Sequence, residues 1–223
     1  LNKADLADEA VTSAWLDHYR KKGYHAVTLN SKNTKDVRKV GDVILKACSE
    51  KIEKDRKKGI IGRHIRAMIV GIPNVGKSTF INSFAGKACT KTGNKPGVTK
   101  GRQWIRLAGG IELLDTPGIL WPKFEDQEVG MRIAFIGSIN DDILIPEELA
   151  VSLISFLQSE YAGILAGKYG VEEAEDPLET LKNIATKRAC MKKGGELDLE
   201  KASGFVMDDY RNGRIGRITL EKP

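Results

Sequence analysis

From residue 65 to residue 80 the chain reads "IRAMIVGIPNVGKSTF", and no other stretch narrows its fold as much. Ile65–Ile72 has the apolar composition of a buried-type strand. Gly71-Ile72-Pro73-Asn74-Val75-Gly76-Lys77-Ser78 then spaces two glycines by four residues and closes on Lys-Ser, the pattern of a phosphate loop. The glycines let backbone N–H groups converge on an anion. A helix from Lys77 to about Ala85 adds the positive end of its dipole. In that frame Lys77 reaches the β- and γ-phosphates of a nucleotide, and Ser78 offers a hydroxyl to Mg²⁺.

Three further motifs fall at strand ends. Asp115-Thr116-Pro117-Gly118 closes the apolar run "IELLDT" about forty residues after the phosphate loop. There a carboxylate can hold Mg²⁺ through water, and the Gly118 N–H can meet a γ-phosphate. Asn2-Lys3-Ala4-Asp5 opens the chain. The Asp5 carboxylate can accept from both N1–H and the 2-amino group of guanine, and adenine offers neither donor. Asn30-Ser31-Lys32 follows the strand-like "HAVTLN", and a backbone N–H near Ser31 can meet the guanine O6. Taken singly, each of these is an ordinary turn or cap; together, on one nucleotide, they form a site.

The rest of the chain divides by hydrophobic period and by Gly/Pro punctuation. Asp8 caps a helix to about Lys22, and a second begins at Thr34 or Asp36 with Val37, Val40, Ile44, Ala47 and Cys48 at helical spacing. That helix decays into the basic stretch "KIEKDRKKGIIGRHIR". Strands are expected at 25–30, 65–71, 102–108 and 111–115, the last two joined by a Gly109-Gly110 hairpin turn. From about Ile139 only helices are expected, over 146–166, 177–191 and 200–212, which puts a domain boundary near 137–145.

The order of the motifs is unusual: Asn-Lys-x-Asp, Asn-Ser-Lys, phosphate loop, Gly97-Val98-Thr99, Asp-Thr-Pro-Gly. In this order the chain resembles the circularly permuted GTPases. With "DTPGILWPKFED" and its helical last third it is most similar to the ribosome biogenesis GTPase A (YlqF/RbgA) group. The resemblance spans essentially the whole chain. It implies a Ras-like α/β P-loop fold with a mostly parallel sheet over residues 1–138, followed by a small helical RNA- or ribosome-binding domain over 139–223. It implies GTP hydrolysis in maturation of the large ribosomal subunit, with GTP or GDP and Mg²⁺ as ligands and an rRNA-rich precursor particle as partner. Nucleotide contacts are expected from Asn2, Lys3, Asp5, Asn30, Ser31, Lys32, Asn74, Val75, Gly76, Lys77, Ser78, Thr79 and Gly118, and metal contacts from Ser78, Thr99 and Asp115. Lys77, Thr99 and Gly118 are the residues expected to act on the γ-phosphate, with Thr99 closing over it.

Two departures qualify the site. Ras-like proteins place a water-orienting Gln after the Asp-Thr-Pro-Gly glycine, where this chain has Ile119. The family uses instead a His upstream of Asn-Lys-x-Asp, and His18, His25 and His64 match no such position. Asn74 stands where related GTPases bind K⁺, although an Asn bonding its own loop accounts for it equally well. In a Ras-like sheet two strands separate "HAVTLN" from the phosphate-loop strand, so the natural chain is expected to extend upstream of Leu1.

Charge and cysteine usage set the surroundings. Residues 1–137 carry 25 Lys and Arg against 14 Asp and Glu, and residues 138–223 carry 11 against 16. A basic front half suits a polyanion. The acidic back half nonetheless holds Lys182, Lys187, Arg188, Lys192 and Lys193 with no acidic residue among them. This patch and Lys51–Arg66 read either as phosphate contacts or as solvated faces. No aromatic-rich RNA-recognition signature is present. Cys48, Cys89 and Cys190 are three, widely spaced and without nearby His, which fits reduced thiols in a reducing compartment. A cytoplasmic location and a monomer are expected. No run of 18 apolar residues is long enough to span a bilayer.

Overall fold

The computed structural model describes residues 1–90, 103–107, 109–120 and 124–223. They form two compact units: 1–121 with the terminal 219–223, and 122–218. The helical unit therefore starts earlier than the expected boundary near 138. The reason is a helix at Gln127–Phe135, whose Ile133, Ala134 and Phe135 are buried. Arg211 donates to the carbonyls of Phe135 and Ala134, at 3.0 and 2.9 Å, and so ties this helix to the end of the last one.

In the first unit, α1 (Glu9–Lys21) is capped by the Asp8 carboxylate and α2 (Thr34–Ala47) by the Asn33 side chain. The basic stretch does not decay but continues as α3 (Ser49–Lys57). Strand β1 (Ile65–Ile69) leads through the phosphate loop into α4 (Lys77–Ala85), and β1, β2 (Gln103–Leu107) and β3 (Ile111–Asp115) form a three-stranded sheet among the described residues. Its order is β1-β3-β2, with β1 parallel and β2 antiparallel to β3.

Two-residue alternation decides which side chains face inward. Ile105, Leu107, Ile111 and Leu113 pack with Phe80 and Ile81 of α4 and Val37 of α2, with Ala67 and Ile69 at the margin. The opposite face carries Met68 and Trp104, 60% and 50% exposed, so β1 is half-buried rather than covered on both faces. On that face Arg66 lies over the Trp104 ring, and Glu112 takes both Arg66 and Arg106.

The segment 25–30 is extended but is not a strand of this sheet. Its backbone partners are the first residues: Leu1 donates to Val27, Leu29 donates to Leu1, and Ala4 donates to Leu29. Residues 1–4 thus run beside 27–29 and deliver Asn2 to the phosphate loop.

The second unit is built of α5 (Gln127–Phe135), α6 (Pro146–Glu160), α7 (Ile164–Tyr169), α8 (Pro177–Lys187) and α9 (Leu199–Arg211). Helix α6 is its axis, with Leu149, Ala150, Leu153, Ile154 and Leu157 all at 5% exposure or less. The single helix expected over 146–166 breaks at Gly163, which adopts φ +83°. The Glu173 carboxylate then accepts the N–H groups of Gly163, Leu165 and Ala166 and satisfies the start of α7.

Candidate nucleotide site

The phosphate loop is shaped by backbone that favours glycine. Gly76 has φ +94° and Asn74 φ +59°, and α4 begins at Lys77 without a side-chain cap. A helix start without a side-chain cap is what an anion-binding N-terminus requires. The Lys77 ammonium donates to the Gly71 and Ile72 carbonyls, at 2.9 and 2.8 Å. Burial lowers its pKa, and the nearby Asp115 charge opposes that shift.

Asp115 ends β3 at 1% exposure, and its Oδ1 has no hydrogen-bond partner. Burial raises its pKa, while Lys77 and a backbone N–H hold it down. An orphaned, buried carboxylate oxygen beside a phosphate-loop lysine fits a hydrated Mg²⁺, which usually takes one or two carboxylates plus phosphate oxygens. Thr116 locks the strand end by donating to the Ile69 carbonyl at 2.6 Å. Gly118 lies against the loop itself. A Cβ built there would fall 2.7 Å from the Pro73 backbone and 2.9 Å from the Lys77 Nζ. The next side chain, Ile119, is 76% exposed and has no group to orient water. Thr99 lies outside the described residues.

The two motifs expected to read the base meet at Asn2. Its Nδ2 donates to the Val75 carbonyl at 2.7 Å, and its Oδ1 accepts from both the N–H and the hydroxyl of Ser31, at 3.2 and 2.8 Å. One side chain therefore joins the chain start, the Asn30-Ser31-Lys32 loop and the phosphate loop. Asp5 is exposed in the turn that follows Lys3, whose φ is +57°. The Lys32 N–H donates to Asn30 Oδ1 at 2.9 Å, so the loop's donors are internally engaged. The long Ser31–Asn2 bond is the weakest of them and the easiest to exchange for a base oxygen.

Sequence reading missed the polar pair Asn82-Ser83, set in the otherwise apolar second half of α4. Asn82 accepts from the N–H groups of Cys89 and Thr90 and from the Thr90 hydroxyl, and donates to the Thr90 carbonyl. Ser83 donates to the Ser31 carbonyl at 2.6 Å. Two weak helix formers side by side in a nine-residue helix were the available signal.

The three histidines take no part. His18 packs edge-on against Trp15 and Tyr19, His64 lies 3.9 Å from Glu112, and His25 lines an open groove with Lys46, Lys51 and Lys54. The C-terminal basic patch is heterogeneous. Arg188 belongs to the packing of the helical unit: it binds Asp209 at 3.1 Å and stacks on Tyr169 and Phe205. Lys182 pairs with Glu179 at 2.6 Å, and Lys187, Lys192 and Lys193 are exposed.

Comparison with known proteins agrees with this geometry. Residues 66–183 match the family described as 50S ribosome-binding GTPase. The chain is 44% identical to ribosome biogenesis GTPase A of Bacillus cereus, covering 100% of this chain and 76% of that protein. It is 31% identical to the Thermotoga maritima protein of the same name, covering 100% and 75%. Among solved structures, the GNP-bound YlqF of T. maritima superposes with a TM-score of 0.64 at 31% identity, covering 100% of this chain and 80% of that one. A GDP-bound TM YlqF gives 0.67 at 29%, covering 100% and 82%. A permuted α/β GTPase domain followed in the chain by a helical unit, similar along its whole length to these proteins, identifies the chain as a GTP-binding, GTP-hydrolysing member of the ribosome biogenesis GTPase A family.

Proposed function

We propose that the chain is an assembly factor of the large ribosomal subunit, whose nucleotide state governs its hold on an rRNA-rich precursor particle and whose hydrolysis of GTP releases it. The observation that carries this reading is the Asn2 junction, which ties the base loop to the phosphate loop through Val75 and Ser31. Around it, Asp5 selects guanine, an N–H of the Ser31 loop reads O6, and Lys77 with the α4 N–H groups, Thr79 among them, holds the phosphates. Ser78, Asp115 and Thr99 hold Mg²⁺, which supplies charge neutralisation at the phosphates when bound. Gly118, packed on Pro73, is the contact displaced when a γ-phosphate enters. Asn74 provides for a K⁺ ion beside the phosphates. Lys187, Lys192 and Lys193, with α3 of the first unit, meet RNA phosphates. The chain acts as a cytoplasmic monomer in this reading. Residues 139–223 are its RNA-contacting domain, packed on α5.

The decisive measurement is GTP turnover with and without purified large-subunit particles, using a chain of the relatives' full length. Stimulation of about tenfold or more is expected, roughly 1.4 kcal/mol of activation energy. A second reading, a nucleotide-gated RNA-binding module whose hydrolysis is incidental, draws on the exposed Ile119 where Ras-like proteins place Gln. Turnover indifferent to particles, with binding still dependent on nucleotide, would select it.

A further inference from the structure

We infer that Ser83 is a positioning residue for guanine selection. A serine within a helix ordinarily donates to the carbonyl four residues before it. Ser83 instead reaches across 52 residues to the Ser31 carbonyl, at 2.6 Å. Ser31 is 5% exposed, and its remaining polar groups, the N–H and the hydroxyl, both go to Asn2 Oδ1. Asn2 in turn holds Val75, two residues before the start of α4 at Lys77. The bonds therefore close a ring: α4 to Ser83, Ser31, Asn2, Val75 and back to α4.

This ring sets the distance between two parts of the ligand. The N-terminus of α4 faces the phosphates, and Ser83, six residues on, stands about 9 Å along the helix axis. The base-reading loop is thus referenced to the helix that binds the phosphates. Fixing the Ser31 carbonyl also fixes the plane of the peptide that supplies the Lys32 N–H, a donor of the loop expected to read O6. Without Ser83 that peptide plane is held from one side only, by the Lys32 N–H bond to Asn30 Oδ1, and the loop N–H groups are less fixed in direction. Asp5 is exposed and makes no bond to Ser83, so reading of the 2-amino group stays independent of it.

The inference rests on the guanine-site reading above, and the experiment separates the two. Affinities of wild type, Ser83→Ala and Ser83→Thr are measured for GDP, for 2-aminopurine riboside diphosphate, which lacks O6, and for IDP, which lacks the 2-amino group. Ser83→Ala is expected to weaken GDP about fivefold, the scale of one neutral hydrogen bond, and to leave the 2-aminopurine nucleotide nearly unchanged. The GDP-to-2-aminopurine ratio then falls, the relative reading of the 2-amino group against IDP stays, and Ser83→Thr, which keeps the hydroxyl, restores the GDP value. If Ser83→Ala weakens GDP and the 2-aminopurine nucleotide equally, or neither, the inference is overturned and Ser83 is structural. If wild type does not prefer GDP to ADP, it is the base-site reading that falls.

Discussion

At the scale of single residues, the site is written in side chains whose chemistry leaves few substitutes. Lys77, Asp115 and Asp5 are legible as candidates because phosphate, Mg²⁺ and guanine each favour one residue type in one place. Asn82 and Ser83 could not, because a polar residue on a helix gives no hint of which loop it will meet after folding. Two expectations belong here. Replacing Asp5 with Asn should shift preference from guanine towards xanthine nucleotides, because the amide donates where the carboxylate accepts; competition of GDP and XDP for the variant reads it directly. Replacing Gly118 with Ala should separate binding from turnover. The added methyl meets Pro73 backbone and the Lys77 ammonium, at 2.7 and 2.9 Å, so the 118 segment must move off the loop. GDP affinity should stay within about threefold while the hydrolysis rate falls at least about tenfold, roughly 1.4 kcal/mol of activation energy. Equal losses in both would mean the glycine only shapes the fold.

At the scale of elements, what could be read in advance was whatever rests on local pattern. The phosphate-loop helix, the Gly109-Gly110 hairpin and α9 stand within a residue or two of where apolar spacing and punctuation put them. "HAVTLN" has strand composition, but the ladder that makes a strand lies in a partner segment, and its partner is the short run 1–4. Helix α3 is hidden by its charge, having no apolar stripe to announce it, and α5 by Gly130, which interrupts the pattern to admit the Phe124 ring. The helical unit depends on a centre invisible in sequence. Asp209, 5% exposed, accepts from the Tyr169 hydroxyl, Arg188 and Arg214, with Lys168 3.9 Å away. Burial pushes its pKa up, but the Arg214 bond, Lys168 and Tyr169 together pull it below the ordinary value. A depressed carboxylate contributes stability above its unfolded pKa, about 3.9, and that contribution is lost as pH falls through the folded value. Urea unfolding followed by circular dichroism should therefore show the helical unit weakening below about pH 4. Asp209→Asn should be less stable by about 3 kcal/mol at neutral pH, with this acid-dependent step removed. An unchanged acid profile in the variant would place the titration elsewhere.

At the scale of the whole molecule, charge is divided along the same line as the fold. The sheet-containing unit carries 24 Lys and Arg against 12 Asp and Glu, and the helical unit 12 against 18. A polyanionic particle is attracted to the first and repelled on average by the second, so any RNA contact from the helical unit must come from a local concentration of cations. Sequence alone offered five residues for it, and two have acidic partners: Arg188 binds the buried Asp209, and Lys182 pairs with Glu179 on the surface. The remaining Lys187, Lys192 and Lys193 can be neutralised without touching a buried network, which makes the test clean. Removing one lysine–phosphate interaction should lower the slope of log affinity against log salt by about 0.7–0.9. Changing all three lysines to Gln should therefore flatten the salt dependence of particle binding by about 2 if they touch phosphates. GTP affinity should not change, since none of the three belongs to the nucleotide site. The same exchange at Lys51, Lys57 and Lys58 of the α3 region provides the contrast. If only the α3 set flattens the slope, RNA is held by the sheet-containing unit alone, and the helical unit meets the particle through protein or not at all. If both sets do, the two units grip the particle together, and a nucleotide-driven change in one has a partner through which to act on the other.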